Sequence, residues 1–488
     1  MRILFLYVNP AGYGRIPLGV SLLVTILHNA GHVVEVFDTT FMSSGNSDND
    51  SRQKSGFVAD AGSLTHLYEC CTETEIESRL ESLIGRFKPD LVAASIVEDN
   101  YLTTTKLLKL VKRLLPEGLV VVGGPTPTVV PEIVIENPWI DMLVVGEGEE
   151  ALLELCSRRP LNTIKNLWWK EDGYVYDNPV RPFIDMDTLP VQDLSFWNVN
   201  HMMKPYNGKV LKSSFIEMSR GCTNKCSYCI NAAYQTALAR CGSYFRRKSV
   251  KKVIAEALNH KQLYGVKKCY FTDDNFLYLP IMKLEEFASE WKSQVDLPFW
   301  INTTAETISV ARLDLLKSAG CDGVTIGIES GSAWLRENVL NRKSKTDTII
   351  RAFRLLKEYG IRSSSNIMLG FPGESEAMML ESISLLKLIQ PDSIDVSFVT
   401  PYGATALWKL CKETGTIDVL DEPGFKGLAK MDGLRKPSIR LPDVSVEKLE
   451  WLYANFADMV RGRVEIPVAP TLPYDNLVVE KLREIIEW

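Results

Sequence analysis

The chain has 488 residues, 45% hydrophobic and 24% charged, with 55 Lys and Arg against 61 Asp and Glu for a formal charge of −6. That length allows two or three domains with sizeable cores, and the mild acidity disfavours a nucleic-acid or anionic-membrane partner. No apolar run reaches the roughly 18 residues of a membrane span. Ten cysteines are too sparse for a disulfide scaffold, so a reducing, cytoplasmic setting is expected.

In chain order, residues 2–8 are a continuous apolar run, the pattern of a strand buried on both faces and too short for a signal peptide. A helix over 20–28 stopped by Gly31, then strands over 33–37, 91–95, 119–122 and 142–145 with a helix over 101–115, make an alternating pattern. The expectation is a Rossmann-like open parallel sheet whose ligands sit beyond the carboxyl ends of the strands. Polar and glycine-rich residues collect at those ends: Asn9-Pro-Ala-Gly12, Ser95-Ile-Val-Glu98-Asp-Asn100, Gly123-Gly124-Pro125-Thr126-Pro-Thr128 and Gly146-Glu147-Gly148-Glu-Glu150. None is a Gly-x-Gly-x-x-Gly turn, which disfavours a dinucleotide. Residues 43–56 lack apolar periodicity and read as a mobile loop.

Residues 158–212 read as a connector with a hairpin over 167–176, turned by Asp172-Gly173. A second alternation follows, with strands expected over 214–218, 268–273, 298–303, 323–328, 364–369 and 394–399 and helices over 250–264, 283–294, 310–319, 345–359 and 376–389. Six such units make a partial TIM-like barrel, with chemistry at the carboxyl ends of its strands. Helices over 404–413, 445–462 and 475–487 form a C-terminal cap. There Tyr402, Trp408, Trp451, Tyr453 and Phe456 either line a cavity or pack as core. The α/β chain therefore divides into 1–157, 158–212, 213–400 and 401–488.

Chemistry concentrates after the first barrel strand, in Ser219-Arg-Gly-Cys222-Thr-Asn-Lys-Cys226-Ser-Tyr228-Cys229. Three thiolates crowd onto one loop when a cation holds them. A structural zinc site closes with a fourth ligand, whereas three leave a position open, and the four-cysteine ferredoxin spacings do not match. A zinc knuckle is the plain alternative.

Cys-x-x-x-Cys-x-aromatic-Cys after a first barrel strand resembles the radical SAM enzymes. The resemblance implies that Cys222, Cys226 and Cys229 bind three irons of a [4Fe–4S] cluster, that S-adenosylmethionine (SAM) chelates the fourth, and that Tyr228 packs beside cluster and adenine. Further along the rim it implies SAM contacts from Asp273, Asp274 and Asn275, from Thr304 and Glu306, from Glu329 and Ser330, and from Gly370 and Gly373 near adenine. A helix N-cap would equally explain 272–276, and a simple turn Gly373.

Gly-Gly-Pro-Thr-Pro-Thr followed by Val-Gly-Glu-Gly-Glu is similar to the cobalamin-binding domain ahead of many radical SAM cores. It implies corrin contacts from Asn9, Ser95, Glu98, Gly123, Gly124, Pro125, Thr126, Gly146, Glu147 and Gly148. His28-Asn-Ala-Gly31 matches only half of Asp-x-His-x-x-Gly, with Ile26 in the aspartate's place, so His28 is expected at a helix end and the lower cobalt ligand stays open. His201 is expected to face solvent, Cys241 and Cys269 to be structural, and Cys70-Cys71 to have no role. The resemblance further implies a small-molecule substrate and an electron donor such as flavodoxin or ferredoxin. The expected reaction methylates an unactivated carbon through a 5′-deoxyadenosyl radical and methylcobalamin. The alternatives are an oxidative cyclase like the anaerobic magnesium-protoporphyrin ester enzyme, a dehydratase or rearrangement enzyme with a vestigial cobalamin domain, and a non-enzymatic metal or corrinoid carrier.

Overall fold

The computed structural model describes residues 1–12, 14–42, 52–53, 55–430, 436–469 and 476–485; most of the expected 43–56 loop lies outside the described residues. The first sheet contains β1 (Arg2–Tyr7), β2 (Val33–Asp38), β3 (Leu91–Ser95), β4 (Leu119–Gly123), β5 (Met142–Val144), β6 (Leu167–Glu171) and β7 (Tyr174–Asp177), in the order β2-β1-β3-β4-β5-β6-β7. The first five are parallel. The hairpin expected in the connector extends this sheet, β6 pairing antiparallel to β5.

The continuous apolar run of β1 feeds two cores. Ile3 and Phe5 pack with Val20, Val24 and Leu27 of helix Leu18–Asn29, while Leu4 and Leu6 pack with Leu80, Ile84 and Phe87 on the other face. Those last residues belong to a helix, Glu73–Phe87, opened by a Thr72–Glu75 capping box. The order reverses direction between β1 and β3, which opens a crevice at their carboxyl ends.

The second sheet contains β8 (Met203–Tyr206), β9 (Lys209–Ile216), β12 (Lys268–Phe271), β13 (Phe299–Thr303), β14 (Cys321–Glu329), β15 (Arg362–Leu369) and β16 (Ser393–Phe398), in the order β16-β15-β14-β13-β12-β9-β8. A small pair, β10 (Ser219–Arg220) with β11 (Arg246–Arg247), follows β9 in the chain. Six strands of the curled sheet are parallel, as the partial barrel requires; β8 adds an antiparallel edge. On the outside, Phe271, Phe287, Trp291 and Phe299 pack ring against ring with centroids 5.2–5.7 Å apart, each good pair adding about 0.5–1.5 kcal/mol beyond burial.

One apolar cluster runs from β1 through Leu194, Trp197 and Met202 to the barrel, so the two sheets share a core. His201 belongs to that junction: it is fully buried, not solvent-facing, with Nε2 2.5 Å from Asp38 Oδ2 and Phe41 and Trp197 rings around it. Its ion partner Asp38 lies 163 residues away at the end of β2, out of reach of a local reading.

The cap contributes Ala406–Thr414, Val446–Val460 and Asn476–Ile485. Phe456 is core, Trp451 is 41% exposed, Tyr453 stacks on Phe398, and the Trp408 indole donates to the Gly427 carbonyl. Among the described residues no helix is long and apolar enough to cross a membrane.

Candidate cofactor sites

The cysteine loop leaves β10 through Gly221, whose φ of +89° and close approach, with a Cβ placed 2.5 Å from the Tyr244 carbonyl, admit glycine only. Side chains bonded to main-chain carbonyls then tie the loop down. Gln235 donates to the Cys222 and Asn224 carbonyls (both 2.9 Å), the Ser227 hydroxyl donates to Val339 O (2.6 Å), and Asn341 donates to Lys225 O (2.9 Å). Cys226 is buried and Cys222 and Cys229 are half-buried. Burial raises all three thiols, Cys229 to about 12, so a cation must displace their protons before they ligate. Donors already address the sulfurs: Arg342 Nη1 is 3.9 Å from Cys226 Sγ and Asn231 Nδ2 is 3.7 Å from Cys229 Sγ. Among the described residues no three His, Cys, Asp or Glu side chains are arranged to hold a single metal ion; a cubane cluster instead takes each thiolate on a separate iron.

Arg342 organises the rim. Its guanidinium donates to Gly327 O (2.6 Å) and the Tyr228 hydroxyl (3.3 Å) and lies 3.8 Å from Glu329. Glu329 sits at the end of β14 with φ +70° beside a register shift, which turns its buried carboxyl into this cluster of groups. Burial pushes that carboxyl up, and Arg342 opposes the shift. Thr304 and Glu306 share a cavity of about 410 Å³ with Cys226 and Arg342. Asp274 stands near Cys222 and Cys229, its carboxyl raised by desolvation.

Other residues singled out in the sequence are turned inward. Asp273, raised to about 6 by burial, accepts from the Met218 N–H (3.1 Å) and the Ser219 hydroxyl (2.5 Å). Asn275 bonds Thr303 and Thr304. Ser330 is fully buried and its carbonyl accepts from Arg336. Gly370 and Phe371 donate their N–H groups to the fully enclosed Glu374 carboxyl, which burial lifts to about 8. Gly373 faces Val478 of the last helix, the nearest side chain to any Cβ there, at 3.5 Å.

At the crevice of the first sheet lies a cavity of about 490 Å³ lined by Ser95, Gly123, Gly124, Pro125, Gly146, Glu147 and Gly148. Gly124 has φ +106°, and a Cβ would stand 2.9 Å from the Ile96 carbonyl and the Ser95 hydroxyl. Side chains are thus kept off this floor, as a flat ligand needs. Asn9, Glu98 and Thr126 are not among the residues lining it. Asn9 bonds Thr40, Thr126 is buried against Ile96, and Glu98 accepts from Gly403 N–H (2.7 Å) in the cap, its carboxyl raised to about 7 by burial. The opposite wall comes from the second domain: Glu217, Arg220, Gly221, Tyr234, Tyr244 and Arg246. Tyr234 and Tyr244 stack there, 6.2 Å between centroids. Arg220 bonds Glu147 (2.9 Å), Glu149 (2.7 Å) and Glu217 (3.0 Å), and Arg246 also bonds Glu147 (2.9 Å). Glu147 is therefore spent on a clamp between domains and held below the usual carboxylate range by those arginines against its burial. None of the five histidines lines this cavity; His28 packs at its helix end on Phe196.

Both regions resemble known protein families. Residues 216–386 match the radical SAM superfamily and residues 54–156 the B12 binding domain. An uncharacterized methyltransferase of Pyrococcus horikoshii is 27% identical over 68% of this chain and 71% of its own. The anaerobic magnesium-protoporphyrin IX monomethyl ester cyclase of Cereibacter sphaeroides is 25% identical over 73% of this chain and 58% of its own. The radical S-adenosylmethionine methyltransferase TsrM from Kitasatospora setae, solved with cobalamin and a [4Fe–4S] cluster, has the same fold at TM-score 0.68, covering 99% of both chains at 16% identity. The chain thus carries a radical SAM domain with a B12-binding domain ahead of it. The cofactors of those domains are a [4Fe–4S] cluster with SAM and cobalamin, and the three-thiol loop and the glycine floor are chemically suited to hold them.

Proposed function

We propose that the enzyme transfers a methyl group to an unactivated carbon of a small-molecule substrate. Bound here, the cluster and SAM would supply a 5′-deoxyadenosyl radical and cobalamin a transferable methyl group. Cys222, Cys226 and Cys229 hold the cluster, with Arg342 and Asn231 donating toward the sulfurs. Tyr228, Asp274, Thr304, Glu306 and Glu329 surround the SAM side of the rim. Ser95, Gly123, Gly124, Gly146 and Gly148 carry the corrin, and Tyr234 and Tyr244 wall it from the second domain.

The observation that supports this reading is the shared cavity: Gly221, one residue before Cys222, lines the same space as the floor of the first sheet. A substrate between the domains would meet both cofactors, which radical methyl transfer requires and a single-cofactor carrier does not. The electron donor in this reading is a small redox protein of the flavodoxin or ferredoxin kind.

The test incubates anaerobically reconstituted protein with cobalamin, SAM and reductant. S-adenosylhomocysteine formed alongside 5′-deoxyadenosine is the expected result; deoxyadenosine alone removes methyl transfer and favours the oxidative cyclisation named for the Cereibacter relative.

A further inference from the structure

The cysteine loop and the wall of the cavity between the domains are joined through one side chain, Asn231. Cys229 is the N-cap of helix Ile230–Ala237, which puts Asn231 in the first turn, beside the sulfur. Its amide is used at both ends. Nδ2 donates to Cys229 Sγ (3.7 Å), and Oδ1 accepts from the Tyr244 hydroxyl (2.6 Å). With its oxygen turned to the phenol, the amide presents its NH2 to the sulfur, which can only accept once it is a thiolate.

Tyr244 in turn lines the cavity at the carboxyl ends of the first sheet. Its ring is held from two sides. It stacks on Tyr234, with 6.2 Å between centroids and 20° between planes, and it lies against Gly221, where a Cβ would stand 2.9 Å from the ring. The hydroxyl is thereby kept where it meets Asn231. Two hydrogen bonds thus run from cavity wall to cysteine sulfur.

Reduction of a cluster on this loop adds one electron, and part of that negative charge falls on the thiolates. Hydrogen bonds to the sulfurs stabilise the reduced form and raise its potential. Bonds in series polarise one another and strengthen as the surroundings lose water. A corrin filling the cavity removes water from the wall that Tyr244 forms. The phenol then donates more strongly, the amide follows, and the sulfur receives the gain.

We propose that Tyr244 is a positioning residue that couples the two cofactor sites, so that a corrin in the cavity between the domains raises the reduction potential of the cluster through Asn231. The proposal rests on the cysteine loop holding the cluster and the cavity holding the corrin, whichever reaction follows. Its consequence is an interlock: the cluster is most readily reduced when the second cofactor is in place, which limits idle cleavage of SAM.

The experiment is a redox titration of full-length, anaerobically reconstituted protein without SAM, with and without hydroxocobalamin, followed by the low-temperature EPR signal of the reduced cluster. Iron and corrin contents are measured on every sample first. The wild-type midpoint is expected to rise on corrin loading. Tyr244→Phe keeps the ring and removes only the hydroxyl, so its midpoint should lie below that of the wild type and its corrin-dependent rise should be lost. Asn231→Ala removes both bonds and should lower the midpoint at least as far. Adding Tyr244→Phe to it should lower the midpoint no further, because the phenol acts through the amide. A purely structural role would instead change iron or corrin content and leave the midpoint of loaded protein in place. Where Tyr244→Phe retains no corrin, its corrin-free midpoint against that of corrin-free wild type decides. A midpoint equal to wild type in Tyr244→Phe, or a corrin-dependent rise that persists in it, overturns the proposal. A wild type that takes up both cofactors but has a midpoint indifferent to corrin sinks this coupling alone. A wild type that forms no cluster or retains no corrin sinks the assignment of the two sites, and the coupling with it.

Discussion

The cysteine loop and the cavity between the domains meet at Gly221, yet they are held by different forces. Around the loop, side chains of Gln235, Ser227 and Asn341 bond main-chain carbonyls, so the path of the backbone is set by short, directional, neutral contacts. Across the cavity the domains are held by charge: two arginines of the second domain grip Glu147 of the first, and Arg220 also grips Glu149. Neutral bonds to backbone give a fixed geometry, which a metal centre needs. A clamp of buried ions holds as long as all its members are present and costs several kcal/mol when one is lost.

The sharpest way to break the loop is Cys226→Ala. Iron content after anaerobic reconstitution is expected to fall and SAM cleavage to drop to background, while corrin retention persists, because the cavity of the first sheet does not use this sulfur. Arg342→Met ranks next. It leaves the three thiols in place but withdraws the donor near Cys226 and the partner of Glu329, and a loss of about 10- to 100-fold in SAM cleavage is expected, the usual scale for a supporting residue beside a metal. Retention of full turnover would remove Arg342 from the rim's machinery.

Arg220→Gln tests the clamp. Three carboxylates would remain partly buried with Arg246 and Lys248 as their remaining partners, and a loss of about 3–5 kcal/mol in unfolding free energy is expected. Corrin retention on desalting should fall with it, whereas iron content should stay near wild type. Loss of both together would show that loop and clamp are one unit.

This contrast also explains what was legible in the sequence. The three cysteines could be read because their spacing is local, and the strand ends could be read because apolar runs stop there. Which side chain at a strand end faces a cavity is decided elsewhere. Glu98 turns to Gly403 of the cap, and Asp273 turns back to Met218 and Ser219. Arg220 and Arg342 carried no signal, because their meaning lies in partners 73 and 114 positions away. Helix Glu73–Phe87 was different: it is not among the expected helices, although its capping box and the spacing of Leu80, Leu83, Ile84 and Phe87 are in the sequence.

The smallest effect concerns Glu374, which sits in the rim's style of neutral bonding although it is an acid. Its Oε2 accepts from the Gly370 and Phe371 N–H groups and its Oε1 is enclosed with no partner among the described residues. Burial raises the carboxyl from the ordinary 4.5 to about 8, so at neutral pH the folded protein holds a proton there that the unfolded chain has released. A folded state that binds the extra proton loses stability as pH rises from about 4.5 to about 8, and is insensitive to this group on either side of that window. Glu374→Gln keeps an acceptor for both N–H groups and removes the titration. Unfolding measured between pH 6 and pH 9 should therefore show the wild type weakening toward alkaline pH and the variant holding level. Equal slopes in the two proteins would mean that the carboxyl is charged in the folded state, and the loop carrying Gly370 would then be held by charge, like the clamp, and not by a neutral acid.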